Sequence, residues 1–149
     1  VTEVLFYHLT ESALEAALTP LLEKSVARGW NVVVQTGSEE RRDALDAHLW
    51  TFRDDSFLAH GTDRELHTAD QPILLTTATG NPNAAQIRFV VDGAEPPPIE
   101  GYERVVFMFD GHDQGQLEAA RTHWKAMKAA GYAVTYWQQT PQGTWERKA

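Results

Sequence analysis

Arg121, Trp124, Lys125 and Lys128 fall at the i, i+3, i+4 and i+7 positions of a predicted helix, a spacing that gathers side chains on one face. Cations around an indole, on a chain of formal net charge -8, make chemistry for an anion that carries an apolar group. Arg121 offers a fork of donors to a carboxylate, and Trp124 offers a pocket wall. Lys125 and Lys128 add attraction that salt weakens. The competing reading is a solvated helix face, in which Trp124 packs sideways on the body and Glu118, three residues earlier, pairs with Arg121. A basic-aromatic stripe also suits single-stranded nucleic acid, but this one is short and the acidic chain repels polyanions.

A second cluster puts Trp50, Phe52, Phe57 and Leu58 into nine residues, interleaved with Arg53, Asp54, Asp55 and Ser56. Interface anchors are enriched in Trp, Phe and Arg. Two readings stand level: a loop that hides all four in the core, or one that covers the core in part and faces a partner in part. Asp54-Asp55 reads as a pair of solvated loop carboxylates.

Catalytic chemistry is thinner. Asp110-Gly111-His112-Asp113 follows a predicted strand, where α/β proteins bind ligands. It reads either as a polar turn whose aspartate starts the next helix, or as the strand-end site of a small nucleotide- or metal-dependent enzyme. Four residues alone supply no complete coordination shell. His8, His48, His60, His67 and His123 have no H-E-x-x-H spacing and read as surface or packing residues. After the first strand, His8-Leu9-Thr10-Glu11-Ser12 lacks the glycines that let backbone approach a pyrophosphate. Neither G-x-x-x-x-G-K-[ST] nor G-x-S-x-G occurs. No catalytic residue, cofactor or metal ligand is assigned.

Composition narrows the class. The 149 residues suit one domain spanning 1–149, and 42% apolar with 23% charged residues is a globular balance, not a disordered one. The absence of cysteine removes disulfides, thiolate metal sites and cysteine nucleophiles. No apolar run approaches the roughly 20 residues that cross a bilayer, and the opening residues lack a basic signal-peptide start. A soluble cytoplasmic protein is expected.

The elements that must position these residues alternate from end to end. Val4–Leu9 is a buried strand. Ser12 with Glu15 is a capping-box pattern opening a helix that Pro20 interrupts, as a kink or as the start of a second helix, and that Gly29 ends. Asn31–Gln35 is the next strand, parallel to the first. Ser38 caps a helix to about Leu49. An irregular connection runs from Trp50 to Asp70. Ile73–Thr76, Ile87–Val91, Arg104–Phe109 and Ala133–Gln138 are strands, and a short final one lies near Trp145. Pro96-Pro97-Pro98 stiffens the connector from Gly93 to Gly101. The clearest helix is Gln114–Ala130, stopped by Gly131. This order predicts a three-layer α/β/α domain with a mostly parallel or mixed central sheet.

Taken together, the chain resembles the chi-subunit family of bacterial DNA polymerase III. The resemblance rests on Phe6-Tyr7, on Arg28-Gly29-Trp30-Asn31-Val32-Val33-Val34 and on Leu45-Asp46-Ala47-His48-Leu49-Trp50. It continues through Ser56-Phe57-Leu58-Ala59-His60-Gly61 and the run from Arg121 to Tyr132. It implies a Rossmann-like fold without enzymatic activity, and a replication accessory subunit attached to the clamp loader. It also implies a grip on the acidic C-terminal tail of single-stranded-DNA-binding protein, which ends in Pro-Phe with a free carboxylate. Arg121 and Trp124 match the family's tail pocket, with Lys125 and Lys128 beside them. The family's further pocket lysine falls near Leu117, which leaves two readings: Lys125 or Lys128 replaces it, or the tail sits differently. Trp50 and Phe57, with Phe52 between them, match the surface for the psi subunit or a replacement clamp-loader or helicase-like partner. DNA is implied as an indirect partner, and no membrane is.

Overall fold

Strands with near-continuous apolar runs must be covered on both faces, and this chain has several. The computed structural model describes residues 2–51, 58–65 and 67–149. In chain order the elements are β1 (Glu3–Leu9), α1 (Leu14–Ala27), β2 (Val32–Gln35), α2 (Glu39–Thr51), β3 (Gly61–Thr62), a single 3₁₀ turn (Thr68–Asp70), β4 (Ile73–Thr76), β5 (Ile87–Val91), β6 (Arg104–Asp110), α3 (Gln114–Ala129), β7 (Ala133–Gln139) and β8 (Trp145–Arg147). β2, β4 and β5 are buried throughout. The strands form one sheet in the order β3-β4-β2-β5-β6-β1-β7-β8. Every neighbouring pair is parallel except β7 and β8, so the sheet is mixed.

Alternation along the strands sorts side chains into two cores. Leu5, Leu9, Val32, Val34, Phe89 and Val106 face Leu18 and Leu22 of α1 and Leu45 and Leu49 of α2. Val4, Phe6, Val33, Val105, Phe107 and Phe109 face Ala120 of α3, with Leu117, Trp124 and Met127 packed alongside. The result is helix on both faces of the sheet: three layers.

The expected β-α-β unit is present, but its strands are not neighbours. β6 and β5 lie between β1 and β2, although all four run parallel. The expected capping box at Ser12 is not formed. Ala13 takes the cap position without a side-chain bond. Ser12 is drawn instead to Gln139, whose Oε1 accepts the N–H groups of Thr10, Glu11 and Ser12 and whose Nε2 donates to Ser12 Oγ. Pro20 does not divide α1, which continues through it to Ala27. Gly29, at φ +82°, then allows Trp30 N–H to reach Ser25 C=O and close the helix end. Ser38 caps α2 as expected, its Oγ accepting Arg41 N–H at 3.2 Å.

α3 covers only part of its face. Over the rest lies the proline-stiffened connector, with Ala94, Ile99 and Tyr102 buried against the sheet. Arg88, fully buried on β5, holds this region together. Its five N–H groups reach Gln35 Oε1 twice, the carbonyls of Ala78 and Gly80, and the Tyr102 hydroxyl, at 2.7–3.1 Å. Burial pushes its pKa down. No carboxylate bonds it among the described residues, so neutral acceptors carry the whole charge.

Candidate functional site

α3 is the element that carries the cationic stripe, and both of its ends are fixed locally. Asp113 Oδ1 accepts Gln116 N–H at 3.0 Å at the start. At the other end Gly131 sits at φ +87°, and Tyr132 N–H bonds Met127 C=O. With its ends set, the helix turns Ala120 and His123 into the core and leaves Arg121, Lys125 and Lys128 exposed.

Trp124 lies between these two environments. It is half-buried, edge-on to Phe6 at 5.5 Å and to Tyr136 at 5.6 Å. Phe6 is itself stacked on Phe107 at 4.7 Å, so the indole rests on a rigid aromatic base. The sideways packing weighed from the sequence is therefore real, yet it does not use up the ring. Trp124 also walls a groove of about 210 Å³ between α3 and β7. Leu117 and Ala120 form the rest of the helical wall, Phe109 and Tyr136 the sheet side, and Arg121 and Lys125 the charged rim.

Arg121 makes no hydrogen bond or ion pair with any described residue. The expected alternative partner, Glu118, instead accepts from Gln114 Nε2 at 3.1 Å. The Arg121 charge is felt by the sheet below, where it helps lower the pKa of His8 and offsets part of the rise in Tyr136 caused by burial. His8 Nδ1 and the Tyr136 hydroxyl share a hydrogen bond of 2.7 Å, and the imidazole stacks on Phe109 at 4.9 Å. Burial and then His112 hold the His8 pKa below its ordinary value. Gly111 makes room for that ring, because a Cβ there would meet His8 Nε2.

The four stripe residues thus divide. Arg121, Trp124 and Lys125 line one groove, while Lys128 places Nζ 5.4 Å from the Trp124 ring without lining it. Leu117 supplies an apolar wall where the resemblance leads one to look for lysine. Phe109 and Tyr136 were not singled out from the sequence. Their signal was strand alternation, but it is the register of β1 with its two neighbours, which sets Phe6 opposite Tyr136 and His8 opposite Phe109, that brings them to the groove beside Trp124.

Trp50 belongs to a separate surface, at the end of α2. It is 55% exposed and tilts against His60 with ring centroids 4.7 Å apart. His60 Nδ1 lies 2.6 Å from the Leu58 carbonyl, and Nε2 lies 3.1 Å from Asp46 Oδ1 without a hydrogen bond between them. Leu58 is buried in the core. Phe52 and Phe57, with Arg53, Asp54, Asp55 and Ser56, lie outside the described residues.

At the strand ends, Asp110 Oδ1 accepts His112 N–H and His112 Nε2 lies 2.9 Å from the Thr10 carbonyl. With Asp113 as helix cap, this segment is built as a turn. The cleft beside it has Glu15, Asp92 and Asp110 in its walls, with Arg41 bound to Glu15 at 2.9 Å. Gln139 already takes the three N–H groups of the β1–α1 turn, the position where a nucleotide-binding loop would offer them to phosphate. No described group of three or more His, Asp or Glu is placed to hold a metal. No described helix is long and apolar enough to cross a membrane.

With this geometry in view, the family model described as "DNA polymerase III chi subunit, HolC" matches residues 1–135. A Rickettsia prowazekii (strain Madrid E) protein named "Probable DNA polymerase III subunit chi" is 23% identical, over 96% of this chain and 90% of its own length. The protein named "DNA polymerase III subunit chi" from Pseudomonas aeruginosa is 26% identical, over 90% of this chain and 94% of its own.

Proposed function

The chain belongs to the family of DNA polymerase III chi subunits, replication accessory proteins, and from that premise we propose that it is a non-catalytic adaptor with two working faces. The groove beside Trp124 takes the acidic C-terminal tail of single-stranded-DNA-binding protein. Arg121 receives a carboxylate, Lys125 adds charge at the rim, and Trp124, Phe109 and Tyr136 enclose the terminal apolar side chain. The observation that carries this reading is an arginine with no bonded partner among the described residues, on the rim of an aromatic-walled groove, in a chain of net charge -8. Trp50 marks the second face, for the psi subunit or a replacement clamp-loader or helicase-like partner, to whose binding Phe52 and Phe57 also contribute. Contact with DNA is then indirect, through the tail-bearing protein, and the work is cytoplasmic.

Titration of a fluorescent tail peptide ending in Pro-Phe tests the first face. Arg121→Ala weakens binding by about 1–3 kcal/mol, roughly fivefold to 150-fold, the scale of a charge-assisted hydrogen bond removed from a pocket. Trp50→Ala leaves that affinity unchanged. Equal affinity of wild type and Arg121→Ala would overturn the assignment.

A further inference from the structure

We propose that the opposite face of the sheet carries a second docking groove, beside α1, for an acidic peptide segment with one bulky apolar side chain. The groove measures about 460 Å³, more than twice the volume of the one beside Trp124. Leu5, Phe89 and Val106 form an aliphatic and aromatic floor from β1, β5 and β6. Three cations line its walls: Lys24 and Arg28 from the end of α1, and Arg104 from the start of β6.

The state of these cations points to an anion. Lys24 makes no hydrogen bond or ion pair with a described residue. Arg28 lies over the Trp30 ring at 3.9 Å, and Arg104 approaches the same ring at 5.6 Å. Two like charges are thereby gathered at one indole, an arrangement that a carboxylate between them relieves. Glu3 takes only Nε of Arg104, at 2.7 Å. Cations also suit a helix C-terminus on dipole grounds, but the dipole does not require a cleft of about 460 Å³ beside them. Tyr7 lines the same groove, and its hydroxyl makes no hydrogen bond with a described residue. It is a donor for a peptide carbonyl or carboxylate.

A peptide fits better than a nucleic acid strand. Single-stranded binders stack successive bases on exposed aromatic faces, whereas the floor's one ring, Phe89, is buried and its other residues, Leu5 and Val106, are aliphatic. An apolar side chain seated among flanking carboxylates matches the pattern of a central anchor with a charged rim.

The test uses a fluorescent, C-terminally amidated peptide of aspartates around one leucine, which has no terminal carboxylate for the Arg121 groove. Expected is saturable binding to the full chain, with methyl shifts at Leu5 and Val106 by NMR. The double variant Lys24→Glu/Arg28→Glu, altered only at exposed positions, stays folded with a modestly lower Tm, because it gives up the Arg28–Trp30 contact and the helix-end cations, and binds at least tenfold more weakly. Arg121→Ala binds this peptide as wild type does, so failure here and failure of the tail assignment are separable. The proposal is overturned by absence of saturable binding, by equal affinity in the double variant, or by loss in Arg121→Ala. It is also overturned if dT12 binds through Lys24 and Arg28 while the peptide does not.

Discussion

Two arginines on the same face of the sheet have opposite fates. Arg88 is wholly buried under the connector and directs all five donors at neutral acceptors. Arg121, on α3, is exposed and has no bonded partner among the described residues. The first holds two irregular segments against the strands where no helix covers them. The second leaves its charge available at the rim of an apolar groove. The contrast teaches that availability, not charge itself, separates a recognition arginine from a structural one.

The comparison is broken most easily at Arg88. Arg88→Ala leaves the buried Gln35 Oε1 and Tyr102 hydroxyl without their partner, at about 1–3 kcal/mol for each buried group, while the exposed Ala78 and Gly80 carbonyls turn to water, so a total loss of at least about 2 kcal/mol is expected in urea unfolding. A loss below 1 kcal/mol would remove the structural half of the contrast. Trp124→Ala sits between the two roles. Its half-buried ring predicts about 2–3 kcal/mol of stability lost, below the range for a full core aromatic, together with loss of tail-peptide binding. Arg121→Ala, by contrast, is expected to change stability by less than about 0.5 kcal/mol, so its effect is confined to binding.

The pH dependence sharpens the point further. Because the folded pKa of His8 lies below its ordinary value of about 6.5, the unfolded chain takes up that proton first as pH falls. His8 therefore contributes stability above about pH 6.5 that is lost as pH drops through its folded pKa. His8→Asn unfolds with less acid sensitivity over that window, measured as Tm against pH. In Arg121→Ala the His8 pKa, followed by NMR, moves upward, since a neighbouring cation is gone. A similarly small stability effect belongs to Lys128→Ala, about 0.5 kcal/mol for an exposed cation over an indole, measured by urea unfolding.

Much of the architecture was legible because its causes are local. Ile73–Thr76 and Ile87–Val91 are strands over the expected residues, their apolar runs leaving no other buried element so short. Asp113 and Gly131 bound α3 by their own hydrogen bonding and φ. What escaped was long-range. Gln139 overrode the Ser12 cap from 127 residues away, and the insertion of β5 and β6 between β1 and β2 follows from pairings that no window of sequence contains. The same holds for the site. One helical spacing exposed Arg121, Trp124 and Lys125, while Phe109 and Tyr136 needed the sheet register to join them. Arg88 looked like an interruption in an apolar strand because its acceptors come from three other segments.

The position of β1 has a consequence in time. It is made first, yet both of its neighbours, β6 and β7, lie in the last third of the chain, with Glu3 and Arg104 separated by 101 residues. At synthesis rates of about 5–20 residues per second, β1 waits on the order of 5–20 s for its first partner strand. Until then a strongly apolar segment has no ladder to join, and neither core can close. Folding of this subunit is accordingly a late event on the ribosome. A chain broken off before α3 would leave β1 as an open edge, recruiting other strands instead of its own.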